Sequence, residues 1–392
     1  MYISSITLDL KSQIDRIFNL CLDNGLVNAN YCTNQHVWDF LYDNNYLKKS
    51  WNSVVVDSDP LKIVGHVGLV PIEVVLNLNK FNFAFITNGV ISNAYRNKLL
   101  DINGKKVLLV SALIDDCVNK AFSSDVGAIM IHSSIPSYLW KGLKFKTLEI
   151  TYCNLLTCSY SHYLKHIYTK FKFFNREKLV LKNCIIFSFI IFHSLIKILY
   201  LKFNTLLTLK RNCTVAVVYD LNEIERVTQE FLNENKEKLC VQRSSKYFDW
   251  LLSNNSNLVL YGFYFNEEIV GYCILDDHKT YPLFKDAIDL IILKRYISHL
   301  PSFISKIKCN INFTIFLNNN LSKSIYKSIS KITYLDSFNP LKFLSKKYFS
   351  YYSDLYFKEN SSSTTNFQNN LKKLYYTKLY FAPKYIKKEK NV

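Results

Sequence analysis

Apolar positions along the first 150 residues change their spacing in a way that separates helices from strands. Ile14, Ile17, Phe18, Leu20 and Leu22 recur at roughly helical intervals, so residues 11–24 are predicted to open the chain as a helix, with Ser12, Gln13 and Asp15 as capping candidates. Runs 62–70 and 74–78 are rich in β-branched residues and are separated by Pro71, and the polar stretch 77–82 leads as a hairpin turn into an apolar run at 83–91. Together they predict a three-strand meander. A helical period returns over 106–120, a short apolar strand follows at 126–132, a helix starts at 137–142, and a strand closes the series at 145–152.

The second half repeats that order. It predicts a strand at 215–219 and a helix at 221–233, then a hairpin of 258–265 with 269–275 around Asn266, Glu267 and Glu268. A strand at 287–293, a helix at 297–307, a strand at 311–317 and a helix at 321–329 follow. The fold class is therefore α+β: two lobes, each a mixed, mostly antiparallel twisted sheet flanked by helices, with a duplicated order of elements.

A chain of 392 residues is long for one core, and nearly half of it is hydrophobic. The expected division is 1–155 as a first lobe, 156–212 as a basic, hydrophobic helical connector, 213–358 as a second lobe, and 359–392 as a Ser/Thr/Asn-rich flexible loop with a C-terminal strand and tail. The net charge of +18 is concentrated in 165–211 and 372–390. Two explanations stand side by side: an anionic partner such as nucleic acid, membrane or a phosphorylated ligand, and the Lys, Asn, Ile and Tyr bias of AT-rich coding. The ten cysteines sit singly, with no CxxC pair, which argues against a structural zinc site and for reduced, buried thiols in a cytoplasmic protein. No metal is expected. The first ten residues lack the basic and apolar regions of a secretory signal.

Between Lys62 and Lys146 four pieces occur in a telling order. They are Ile63-Val64-Gly65-His66-Val67-Gly68-Leu69, then Asn93-Ala94-Tyr95-Arg96, then Asn103-Gly104-Lys105-Lys106-Val107-Leu108-Leu109, and then Leu139-Trp140-Lys141-Gly142-Leu143-Lys144-Phe145. Their succession resembles the GNAT superfamily of acyl-CoA-dependent N-acyltransferases, particularly tandem-lobe members of bacterial polysaccharide biosynthesis. The resemblance implies acetyl-CoA, or another acyl-CoA, as co-substrate. Its pantetheine arm would pair with the strand end at Val90, Ile91 and Ser92, and its pyrophosphate would meet Arg96, Asn103, Gly104, Lys105 and Lys106 at the start of the 106–120 helix. A helix N-terminus suits such an anion because its free N–H groups and its dipole both point at it.

Transfer to an amine needs a base for the nucleophile and an acid for the departing thiolate. His132, Glu73 and His66 are candidate bases, with His132 favoured at the end of its strand. Tyr138 is the candidate acid, because Trp140 stands where the family carries its tyrosine. For each the competing explanation is a surface or packing role. In the second half Val241 to Trp250 resembles the family's C-terminal repeat, which implies that Arg243, Tyr247 and Trp250 contact the acceptor; the competing explanation is that they pack the lobe. Tyr375-Tyr376-Thr377 resembles a closing strand.

The run 179–207 has an uncharged stretch of about fourteen residues, short of the roughly 20 that span a bilayer. It is expected to be a buried interlobe helix, with an interfacial helix on an anionic membrane as the alternative. The expected activity is acyl transfer, most simply of acetyl, to an amino sugar or other primary amine in cell-surface polysaccharide synthesis. The alternative is a catalytically silent GNAT-like binding or scaffold protein, for which three departures from the family argue: a loop from Arg96 to Gly104 that is a few residues longer than the family's R-x-x-G-x-G/A and has Ile102 at its first glycine position, Trp140 for the tyrosine, and Lys144 for the glycine before Phe145. Nucleic-acid binding ranks last, since no recognition helix with clustered arginines is evident.

Overall fold

The computed structural model describes residues 1–6, 14–23, 38–58, 61–132, 137–159, 161–163, 165, 212–255, 257–276, 284–317, 319–335, 351–361 and 367. The connector at 166–211, Tyr375-Tyr376-Thr377 and most of the break at 359–370 lie outside the described residues.

After β1 (Tyr2–Ser4) and helix α1 (Ile14–Asp23), the chain makes a π-turn at Asp39–Asp43 and enters the meander β2 (Trp51–Ser58), β3 (Leu61–Leu76) and β4 (Asn79–Ile91). The two strands expected at 62–70 and 74–78 are one strand, and Pro71 lies inside it. Glu73 N–H and C=O both point away from β4, to Tyr46 Oη at 3.0 Å and to Gln242 N–H at 2.9 Å, so by alternation Pro71 turns its donor-less nitrogen the same way. On that edge β2 ends opposite Leu69 and β10 (Cys240–Val241) begins opposite Val74. Pro71 therefore falls in a gap of the ladder, where a missing N–H costs nothing.

Residues 99–108 form a hairpin of β5 (Leu99–Ile102) and β6 (Lys105–Leu108) instead of the helix opening expected from 103–109. Its turn places Asn103 at φ 53° and Gly104 at φ 79°. Left-handed φ at both central residues is the demand an Asn-Gly pair meets best. Helix α2 starts only at Leu109 and runs to Phe122. Then come β7 (Ala128–His132), α3 (Ser137–Gly142) and β8 (Lys146–Thr157). The second half contributes β9 (Cys213–Val217), α4 (Leu221–Glu234), α5 (Ser245–Ser253), β11 (Leu258–Phe265), β12 (Glu268–Asp276), β13 (Lys285–Ile292), α6 (Leu300–Lys306), β14 (Ile311–Phe316), α7 (Asn320–Ile329), β15 (Tyr334–Leu335) and β16 (Tyr351–Glu359). Asp220, Ser244 and Asn319 cap α4, α5 and α7 by accepting main-chain N–H bonds, each worth about 1 kcal/mol.

All but the β5–β6 hairpin join one continuous sheet, whose main path runs β1-β2-β3-β4-β7-β16-β8-β14-β13-β12-β11-β9. Its halves exchange strands. β8 pairs with β16 through residues 146–152 and then with β14 through 152–157, while β15 joins β8 at Leu155 and Leu156. In return β16, from the C-terminal end, inserts between β7 and β8. β16 thus sits in the first half's part of the sheet, across the boundary expected at 213–358.

In the first half α2 covers one face of the sheet, where Leu109, Leu113, Cys117, Val118 and Ala121 bury against Val64, Val67, Ile129 and Ile131. Each large aliphatic residue so buried contributes about 1.5–3 kcal/mol. Burial also raises the Cys117 thiol to about 12 and Cys240 to about 11, which keeps both inert.

Candidate functional site

β4 and β7 run parallel and pair only at Phe83–Phe85 with Ala128–Met130. Beyond that point β4 continues along β3 to Ile91, and β7 continues along β16 to His132. The two strands therefore part. A bulge marks the opening: His66 pairs with Val90 and Gly68 with Thr87, so Asn88 and Gly89 face one residue of β3, Val67. Ser92 N donates to Val64 O at 2.9 Å, so Val90 also turns its main chain to β3, and Ile91 directs its N–H toward the opening. Tyr42 supports this stretch from one face. Its hydroxyl donates to Thr87 Oγ1 at 2.7 Å, and Thr87 donates on to Gly68 O at 3.3 Å.

The predicted residues are distributed unevenly around this opening. Val90, Ile91 and Ser92 lie at the end of β4 beside it, and His132 ends β7 on its other side. Tyr138 lies in the first turn of α3; the side chains of His132 and Tyr138 are outside the described residues. Glu73 sits opposite Asn82, at the closed end, and its carboxylate pairs with Lys80 at 3.1 Å. It stands about four to five residues, or roughly 15 Å, down the strands from His132. His66 is fully buried, with Nε2 3.0 Å from Asn52 Oδ1 and its ring against both Trp38 and Tyr42, so it is a packed core histidine.

Arg96 is exposed beside a short turn at Asn93–Tyr95. Tyr95 itself donates to Asp57, and that bond raises its pKa. Asn103, Gly104, Lys105 and Lys106 form the exposed tip of the β5–β6 hairpin, away from the start of α2. Gly104 N–H bonds Asp101 Oδ1 at 2.8 Å, and a side chain there would touch nothing within 4 Å, so this glycine serves the turn and not a close approach. Trp140 is buried against Tyr356 and Phe145, and its Nε1 has no hydrogen-bond partner among the described residues.

The second half repeats the opening. β13 and β14 pair only at Lys285–Ala287 with Ile311–Phe313 and then part, with an extra residue in β13 at Ile288. Here the strand is tied by a buried network that the sequence did not suggest. Arg243 grips Asp289 with Nε–Oδ2 at 2.7 Å and Nη2–Oδ1 at 3.1 Å, and it donates to Val241 O at 3.0 Å, while Tyr272 donates to Asp289 Oδ2 at 2.8 Å. Trp250 donates to Phe40 O and stacks on the Phe40 ring at 4.3 Å, and Tyr247 meets Tyr46 edge-on. Arg243, Tyr247 and Trp250, expected to reach an acceptor, are all buried in the seam between the halves.

No known family pattern matches the sequence, and no curated protein is recognisably similar to it. Solved structures are similar to it in fold. A GCN5-related N-acetyltransferase from Anabaena variabilis superposes with a TM-score of 0.56 at 10% identity, over 92% of this chain and 73% of that one. A probable N-acyltransferase of Enterococcus faecalis gives 0.52 at 11% identity, over 95% and 74%. Saccharomyces cerevisiae N-myristoyltransferase, solved with bound myristoyl-CoA, gives 0.50 at 10% identity, over 92% and 82%. The fold is GNAT-like.

Within this GNAT-like fold the parting of β4 and β7 leaves the main chain at the end of β4 paired on the β3 side alone. Among the described residues no group of three or more His, Cys, Asp or Glu side chains is placed to hold a metal, and no helix is long and apolar enough to cross a membrane.

Proposed function

We propose that the chain is an acyl-CoA-dependent N-acyltransferase whose donor lies in the opening between β4 and β7. The observation that carries this is the parting of the two strands after Phe85 and Met130, next to the Asn88–Gly89 bulge. A pantetheine arm is a strand-like chain of amides, and Ile91 N–H directed into the opening gives it a partner to pair with. The diphosphate lies near the start of α2, where Leu108 leaves the first turn without a side-chain cap, with Arg96 as its cation. Gly104, Lys105 and Lys106 have no part in it, because the hairpin carries them away.

In the reaction a neutral amine attacks the thioester carbonyl, and main-chain N–H groups of the bulge stabilise the oxyanion. His132 takes the amine's proton, and Tyr138 protonates the departing thiolate. The acceptor is an amino sugar or similar small primary amine, the acyl group acetyl, and the setting cytoplasmic polysaccharide synthesis. Titration calorimetry with acetyl-CoA tests the donor site; a cooperatively folded protein that gives no heat up to millimolar ligand would refute it. A second reading, a GNAT-like protein without activity, is favoured by one observation: Trp140 is a packed core residue where an acidic hydroxyl is expected. Binding of acetyl-CoA without turnover on any amine would select it.

A further inference from the structure

We propose that the β5–β6 hairpin is a membrane-contact element that seats on an anionic lipid surface. Leu99 and Leu108 are 50% and 42% exposed, and Ile102, on the other face of the hairpin, is 39% exposed. Leu99 and Leu108 are direct cross-strand partners, so they lie side by side on one face of the hairpin. The opposite face is anchored: Leu100 packs against the α2 side of the core, and Leu109 N donates to Lys98 O at 3.0 Å. The leucine pair is therefore held outward by a fixed support.

The charges around it complement a lipid headgroup layer. Lys105 and Lys106 are exposed at the tip, and Arg96 and Lys98 are exposed at the base, with Lys98 Nζ 4.2 Å over the Tyr95 ring. The single acid of the hairpin, Asp101, accepts from Gly104 N–H and so lies tied to the turn. Exposed leucines ringed by cations fit an interface that is apolar below and anionic at the surface. A nucleic-acid backbone would match the cations but offers the leucine pair nothing. Seven residues separate the end of β4, which borders the opening, from the start of the hairpin. The inference holds whether or not the opening takes an acyl donor.

The test is sedimentation of the full chain with vesicles at about 0.1 M salt, where charges are screened beyond roughly 10 Å. Wild type is expected to pellet with vesicles of equal parts phosphatidylcholine and phosphatidylglycerol, and far less with phosphatidylcholine alone. L99S/L108S should lower the partition about tenfold or more on the anionic vesicles. K105Q/K106Q should lower it roughly fivefold per lysine and flatten its dependence on anionic lipid. L99W reports insertion directly, through quenching of the new indole by brominated lipid. Equal pelleting of wild type and L99S/L108S would overturn the proposal, because binding would then lie elsewhere, as in 166–211. So would an unquenched L99W, or wild type that binds random duplex DNA and no vesicle. Acetyl-CoA calorimetry on the same samples is a separate readout, so loss of one activity is not mistaken for loss of the other.

Discussion

At the scale of single residues, Gly68 and Asp289 show how little side-chain identity reveals about its reason. Gly68 belongs to a motif that resemblance assigns to a family, yet its physical role is to admit Tyr42: an added Cβ would lie within 2.5 Å of Tyr42 Cζ. Gly68→Ala should force that ring off the strand, break the Tyr42–Thr87 bond and cost about 1–3 kcal/mol, read from the urea midpoint. An unchanged midpoint would mean that Tyr42 packs elsewhere. Arg243 was legible as a distinctive arginine but not as a buried one, because its partner Asp289 is 46 positions away and the pairing exists only in three dimensions. Asp289→Asn removes the charge that pairs the guanidinium, and about 3–5 kcal/mol of stability should go with it. Arg243→Met combined with Asp289→Leu should cost much less, since no charge is then left buried. If the double variant is as unstable as the single one, the pair is not what holds the seam.

At the scale of elements, the amphipathic helices and the hairpin turning at Asn266 and Glu267 were legible, because each writes its period or its turn locally. What was lost had conflicting or short signals. Helical spacing over 106–120 masked a hairpin that Asn103-Gly104 itself announces, and two-residue β10 has too little pattern to read. Of the residues proposed for the site, Val90 and Ile91 close one apolar run and His132 another, and the strands β4 and β7 end there. The bulge that opens β4 was not visible, because it is a mismatch between two strands and not a property of one. That bulge makes a prediction about backbone. Ile91→Pro removes an N–H that faces the opening, so it should leave the β3–β4 ladder intact, cost about 1–3 kcal/mol of packing, and weaken acetyl-CoA binding about tenfold. Val90→Pro removes a rung shared with His66 and should lose more stability. Equal donor binding by Ile91→Pro and wild type, in calorimetry, would remove the main-chain grip from the mechanism.

At the scale of the molecule, the duplicated order of elements is written in the sequence, whereas the exchange of β8 and β16 between the halves is not, since nothing in either strand names its partner. The exchange has a thermodynamic consequence: neither half completes its sheet alone, so both should unfold together. Three tyrosines in and beside the seam provide the probe. Tyr46 comes from the first half, and Tyr247 and Tyr272 from the second; burial is the main cause that raises the pKa of each above 10. In the unfolded chain these phenols titrate near 10, so the folded state binds more protons above that pH, and stability present below it declines as pH rises toward the raised values. Each tyrosine contributes a slope of about 1.4 kcal/mol per pH unit, about 4 for the three. Urea midpoints should therefore fall steeply between pH 10 and 11.5 in one transition, followed identically by circular dichroism and tryptophan fluorescence. Tyr247→Phe should take about 1.4 kcal/mol per pH unit off that fall, which separates this phenol from the other groups that titrate in the same range. Two resolved transitions, one per half, would mean that the exchanged strands do not couple the lobes, whatever the slope.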